Sequence, residues 1–188
     1  MTLDSASRSQ TPVSERLSIQ VIRRNLDARI VGQHIHIFDE VDSTNEMLRD
    51  LARLGAADGT VVLAESQRRG RGRLGRPWFS PPNVNFYASV LLAGERRVED
   101  MCPVSFIGSL ATSDAIKELG LTPSIKWPND VLLSRQKVAG ALLEWVPRTL
   151  VPDCALIGVG VNLNVDLAVL RAALGPDAIY ATSVAAGL

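Results

Sequence analysis

Lys126-Trp127-Pro128-Asn129-Asp130-Val131-Leu132-Leu133-Ser134-Arg135-Gln136-Lys137-Val138-Ala139-Gly140 is the stretch that decides the fold. A short strand, 124–127, enters a turn at Pro128-Asn129-Asp130, where proline presets the backbone angle. Val131 to Leu133 forms the next strand, Arg135-Gln136 a hairpin tip, and 137–146 the return strand. Gly140 marks a close backbone approach within it. Strands joined this tightly must run antiparallel.

Outward from this meander, 154–165 reads as a further strand carrying Gly158-Val159-Gly160-Val161-Asn162. Upstream, 33–41, 59–66 and 85–93 are β-branched or alternating runs of strand type. Helices are inserted between them. Apolar residues at 17, 21, 22, 26 and 30 have helical spacing. Ser43 followed by Glu46 predicts a capping box opening a helix to about Leu54, with Met47, Leu48, Leu51 and Leu54 inward and Gly55 as its stop. A third helix spans 102–119, with Phe106, Leu110 and Ile116 on its apolar side and small residues at 108, 109 and 111. A short one covers 166–174, closed by Gly175-Pro176. The pattern predicts an α+β fold, a mostly antiparallel or mixed sheet with helices on one face. No strand leads through Gly-x-Gly-x-x-Gly into a helix, and there is no Walker loop, so a doubly wound parallel fold is disfavoured.

Between two of the strands lies Arg68-Arg69-Gly70-Arg71-Gly72-Arg73-Leu74-Gly75-Arg76, five arginines and three glycines in nine residues. Arginines so close repel unless something negative lies among them. The segment is expected to be mobile when empty and to order around an anion, with backbone amides and guanidinium groups both reaching it. Trp78, in the rigid return Pro77-Trp78-Phe79-Ser80-Pro81, can pack or stack on a purine. Thr44 and Asn45 add a hydroxyl and an amide at a helix start that is itself suited to an anion or polar head group.

The chain has 188 residues, with 20 Lys+Arg against 20 Asp+Glu. A dedicated duplex binder carries a basic excess, so the arginine stretch is a local feature that favours a small anionic ligand. Cys102 and Cys154 sit in apolar surroundings without metal-ligand spacing and read as reduced core thiols. His34 and His36 share one polar strand face and lack further ligands for a metal. Residues 1–15 are polar, without a signal-peptide core, and read as a disordered tail. No apolar run approaches membrane-spanning length. The expectation is a cytoplasmic protein with no membrane contact.

Taken in order, Ser43-Thr44-Asn45, Gln67-x-x-Gly70-Arg71-Gly72-Arg73-x-Gly75-Arg76-x-Trp78, Lys126-Trp127-Pro128-Asn129-Asp130, Lys137 to Glu144, and Gly158-x-Gly160-x-Asn162 resemble the catalytic domain of biotin–protein ligase, or biotin–[acetyl-CoA-carboxylase] ligase. The resemblance covers 18–165, and places 16–188 as one catalytic domain without an N-terminal winged helix or the C-terminal β-barrel domain of many members. It implies a class II aminoacyl-tRNA-synthetase-like fold. It implies a reaction in which biotin and ATP, with Mg²⁺, give biotinyl-5′-AMP, and a lysine of a biotin carboxyl carrier protein then takes the biotin. No DNA binding is expected, and exposed sheet edges are compatible with a homodimer.

By the same resemblance Ser43, Thr44, Asn45, Gln67, Gly72 and Gly140 belong to the biotin site. Arg71, Arg73 and Lys137 serve its carboxylate and the phosphate, and Arg71, Lys137, Lys126 and Asp130 form the catalytic centre. Arg73, Arg76, Trp78, Asn129, Gly158 and Asn162 border the nucleotide, with Trp78 over the adenine. Plainer readings stand beside some of these. Ser43 is a helix cap, Lys126 a structural partner of Asp130, and Asn162 a strand-end amide. Three rivals share the sequence evidence: a lipoate–protein ligase, a non-catalytic biotin or biotinyl-AMP binder, and an RNA-binding module using the arginines, which the neutral charge and sparse aromatics disfavour.

Overall fold

A computed structural model describes residues 16–93, 101–147 and 153–188, apart from the side chains at 101–103 and 105. The tail expected at 1–15 and the Cys102 thiol lie outside the described residues. In chain order the elements are α1 (Ile19–Asn25), β1 (Ile35–Val41), α2 (Thr44–Arg53), β2 (Val61–Gln67), β3 (Phe86–Ala93), α3 (Met101–Glu118), β4 (Ser124–Lys126), β5 (Asp130–Leu133), β6 (Gln136–Val146), β7 (Cys154–Val161) and α4 (Leu167–Leu174). Short 3₁₀ segments lie at Arg73–Gly75 and Gly175–Tyr180.

The strands form one sheet in the order β1-β2-β3-β7-β6-β5-β4. The meander read from the sequence is its β4-β5-β6 half, all antiparallel. The sheet is mixed because β1 and β2 pair in parallel, with α2 as the crossover between them. Paired residues in the other ladders are antiparallel, and their registers assign every side chain to a face. One face carries Val62, Leu91 and Leu156, over which α2 lays Leu48 and Ala52. The opposite face carries Val61, Leu63 and Ala88 under Leu17, Ile19 and Ile22, and Ala155 and Ile157 under Val104 of α3.

Helices therefore cover both faces, not the single face expected. The reason is α3, whose buried side is built from Val104, Gly108, Ser109, Thr112, Ser113 and Ile116. Its small residues let the helix settle on the sheet. A methyl group at Gly108 would lie 2.8 Å from Ile157 and 2.9 Å from Ala141. Leu110, expected inward, is 51% exposed.

Other sequence expectations shift with packing. α1 ends at Asn25, and Val21, Leu26 and Ile30 are exposed. Leu54 is 85% exposed because α2 stops at Arg53, with Gly55 in the left-handed region (φ 89) as its predicted stop. The hairpin tip is Ser134-Arg135, both at positive φ, one residue earlier than expected. β7 ends at Val161. Cys154 is fully buried, as its apolar surroundings imply.

Candidate active site

The face of the sheet beneath α2 is missing side chains where β6 meets β7. Gly140 pairs with Gly160, and Leu142 with Gly158, so three glycines open a trough on that face. Two side chains fill it. A methyl at Gly158 would lie 2.4 Å from Asn45 Oδ1, and one at Gly160 would lie 2.5 Å from Trp78 Nε1. The indole thus rests on the bare backbone of Gly140 and Gly160, and its Nε1 is buried without a hydrogen bond.

Lys137 joins it through an irregularity of the ladder. Val131 pairs with Ala139, but Leu132 pairs with Lys137, leaving Val138 as an extra residue. In a regular strand Lys137 and Gly140, three apart, would face opposite ways. The bulge turns Lys137 onto the same face as Gly140. Its Nζ lies 2.6 Å from Asp130 Oδ1 and 5.3 Å from the centre of the Trp78 ring. The expected Lys126–Asp130 pair is not formed: Asp130 takes Lys137, and Lys126 is exposed at the end of β4.

A polar wall stands at the start of α2. Gln67 Oε1 accepts from the Thr44 backbone N–H at 2.9 Å, and Gln67 Nε2 donates to Ser80 Oγ at 3.0 Å. Ser89 Oγ, fully buried, lies 2.8 Å from Thr44 Oγ1 and 2.5 Å from Asn45 Oδ1. Asn45 Nδ2 donates to Glu144 Oε2 at 2.9 Å. The capping box is not made. Ser43 occupies the N-cap position, yet its hydroxyl caps nothing, and Glu46 turns to the arginines instead.

The arginine stretch closes on itself through Gly72 N–H to Arg76 O (2.8 Å) and Trp78 N–H to Gly70 O (2.8 Å), with Leu74 and Gly75 at positive φ at its tip. Its charges are met from the β1–α2 connection, α2 and β6. Asp42 accepts from Arg68 and Arg69, and those two bonds hold its carboxyl below the ordinary 3.8. Arg71 Nη2 lies 3.0 Å from Glu46 Oε1 and 3.8 Å from Glu144 Oε1, while its Nε is buried and unbonded. At the exit, the Tyr87 hydroxyl donates to Pro81 O at 3.0 Å, and burial pushes its phenol pKa up.

These parts enclose a cavity of about 550 Å³. Every site residue expected from the sequence lines it: Ser43, Thr44, Asn45, Gln67, Arg71, Gly72, Arg73, Arg76, Trp78, Lys126, Asn129, Asp130, Lys137, Gly140, Gly158 and Asn162. Some have their polar atoms committed elsewhere. Asn129 Nδ2 donates to Ala141 O at 2.7 Å and its Oδ1 accepts from Arg73 at 3.3 Å. Asn162 Nδ2 donates to Thr182 O at 3.0 Å, which fixes the segment after α4 against β6, so the strand-end reading describes its amide. Sequence reasoning gave Glu46 only a capping role and assigned no site role to Glu144 or Ser89, nor to the cavity wall at Leu174, Asp177 and Tyr180. A signal for the acids was available, since five crowded arginines require counter-charges.

The mixed sheet with its helices is an α+β domain, and its likeness to solved biotin and lipoate ligases gives it the class II aminoacyl-tRNA-synthetase-like fold expected from the resemblance. The chain belongs to the biotin/lipoate A/B protein ligase family, whose model matches residues 37–162. It is 32% identical over 150 residues to the bifunctional ligase/repressor BirA of Bacillus subtilis, covering 79% of this chain and 46% of that protein. It is 40% identical over 126 residues to the biotin–[acetyl-CoA-carboxylase] ligase of Paracoccus denitrificans, covering 65% and 51%. The chain thus spans about half the length of the curated relatives it matches. The biotin protein ligase of Aquifex aeolicus, solved with biotin and ATP, superposes with a TM-score of 0.60 at 35% identity, over 71% of this chain and 53% of that one. That of Leishmania major, solved with biotinyl-5-AMP, gives 0.66 at 25%, over 82% and 64%.

Proposed function

We propose that this domain activates biotin with ATP to biotinyl-5′-AMP and passes the biotin to a lysine of a biotin carboxyl carrier protein. The observation that carries the reading is the meeting of Lys137, seated by Asp130 and Trp78, with the unbonded Nε of Arg71 on one cavity. Its volume suits one small organic ligand. The relatives solved with biotin and ATP, and with biotinyl-5-AMP, support the choice of substrate.

In the first step a biotin carboxylate oxygen bonds to the α-phosphorus and the bond to pyrophosphate breaks. No enzyme nucleophile is required. The need is to hold two anions in line and to neutralise the charge that develops. Ser43, Thr44 and Gln67 hold the biotin ring system, with Asn45 behind them. Lys137 and Arg71 face the carboxylate and the α-phosphate. Arg73, Arg76 and Lys126 line the outer cavity, where the remaining phosphates extend. In the second step the carrier's lysine amine attacks the acyl carbon and AMP leaves. The arginine loop shields the anhydride from water. Mg²⁺ would accompany the phosphates as their counter-ion. Among the described residues no group of three or more His, Cys, Asp or Glu could hold a metal.

Biotin-dependent ATP–pyrophosphate exchange with Mg²⁺, run beside lipoate, tests the first step, and biotin transfer to an isolated carrier domain tests the second. Exchange with biotin alone is the expected result. Exchange with lipoate instead would move the substrate to the lipoate branch of the family. Biotin binding without exchange would reduce the domain to a binding protein. No helix of the described residues is long and apolar enough to cross a membrane.

A further inference from the structure

Glu144 stands where the amide wall meets the arginine loop, and its two oxygens are divided between them. Oε2 accepts from Asn45 Nδ2 at 2.9 Å and from Arg49 Nη2 at 2.7 Å. Oε1 lies 3.8 Å from Arg71 Nη2, and Glu46 Oε1 lies 3.0 Å from the same nitrogen. Arg71 is thus held through its Nη2 end by two carboxylates, while its buried Nε keeps an unused donor. A guanidinium on a long flexible stem costs rotamer entropy to fix. Fixing it before the ligand arrives moves that cost out of binding.

We infer that Glu144, with Glu46, is the positioning group that seats Arg71 and ties it to the amide wall formed by Thr44, Asn45, Gln67 and Ser89. The tie runs Ser89–Asn45–Glu144–Arg71, so a ligand that orders the wall also orders the arginine. This deepens the ligase reading, and only the kinetic arm of its test rests on that reading.

Glu144→Gln separates positioning from mere support. Its amide oxygen can still accept from Asn45 and Arg49, whereas its NH₂ group would face Arg71 and repel it. The expected result in the ligand-free protein is about tenfold faster tryptic cleavage within 68–76, because cleavage follows the population of the open loop. The melting temperature and cleavage elsewhere should hardly change. Glu46→Gln should act in the same direction. In biotin-dependent exchange, the KM for biotin should rise about tenfold, and Glu144→Gln should add nothing in an Arg71→Ala background, as expected of two residues acting as one unit. Unchanged loop cleavage in both variants would overturn the inference. So would losses that multiply in the double variant. If the wild-type protein shows no exchange, the ligase reading fails, and the cleavage result still decides the role of Glu144.

Discussion

Gly158→Ala makes the smallest possible change at the junction of sheet and wall. The added methyl would lie 2.4 Å from Asn45 Oδ1 and 3.0 Å from its Cγ, where ordinary contact begins at 3.4 Å. The amide must therefore retreat by about 1 Å. It cannot do so with α2, because the neighbouring Thr44 N–H is fixed to Gln67 at 2.9 Å. The side chain turns instead and gives up two bonds, to Ser89 at 2.5 Å and to Glu144 at 2.9 Å. A neutral buried bond contributes about 1 kcal/mol and one to a carboxylate about 1.5–3 kcal/mol. Alanine recovers roughly 0.5–1 kcal/mol of backbone entropy that glycine loses in a strand. The net expectation is a loss of about 2 kcal/mol, seen as a lower urea midpoint with unchanged slope. Biotin affinity should fall with it, since Asn45 backs the wall. Gly72→Ala is the control for stability alone, because its methyl would meet only Arg76 O at 3.8 Å. A Gly158→Ala protein as stable as wild type would refute the close-approach argument. One that is destabilised but binds biotin normally would remove Asn45 from the site.

Lys137→Met keeps the stem over Trp78 and removes the charge; exchange should drop by at least about a hundredfold while biotin binding persists in part, and unchanged turnover would dismiss Lys137. Gly160→Ala forces the Trp78 indole from its seat at 2.5 Å, so the tryptophan emission of the ligand-free protein should shift and the KM for biotin or ATP should rise, whereas an unaltered spectrum would contradict the packing. Asp42, whose pKa is depressed below 3.8 by Arg68 and Arg69, contributes stability that is present above its unfolded value and lost as pH falls through the folded one. Asp42→Asn should therefore melt lower than wild type near neutrality, with the two curves converging only below about pH 4; a gap that opens as the pH falls would reverse the sign of the linkage.

The sequence carried the local elements well because each has a local cause. The turn after β4 follows from Pro128, although it occupies 127–129, with Asp130 already the first residue of β5 rather than part of the turn, and the stop of α2 follows from Gly55. The residues expected at the site are of types that bind anions and polar head groups, and all of them line one cavity. Inter-strand relations were not legible. The parallel pairing of β1 with β2 and the seating of α3 on the far face depend on which surfaces find each other, and Leu110 looked buried only because it is apolar. Glu46 was read through the nearest local rule available, the capping box. In the fold its carboxylate lies instead 3.0 Å from Arg71 Nη2 and 3.8 Å from Arg69 Nη2, two charged partners that the tertiary structure brings to it.

Lys137 shows most clearly where residue identity ends and geometry begins. Its type and place in the hairpin are written in the chain, but its direction is not. Alternation from Gly140 would send it to the α3 face, away from Trp78 and Asp130. Only the slip in register between Val131 and Leu132, with Val138 taken into the core as the extra residue, returns it to the cavity. Val138 itself is held by the Asn162 N–H bond to its carbonyl at 2.8 Å, and the Lys137 carbonyl accepts from Thr182 at 2.9 Å. The aim of the lysine is therefore set by three segments far apart in sequence, β5, the end of β7 and the strand-like piece after α4. This gives Asn162 a physical role different from ligand contact: its backbone fixes the bulge, and its side chain fixes the segment that closes the bulge from the other side.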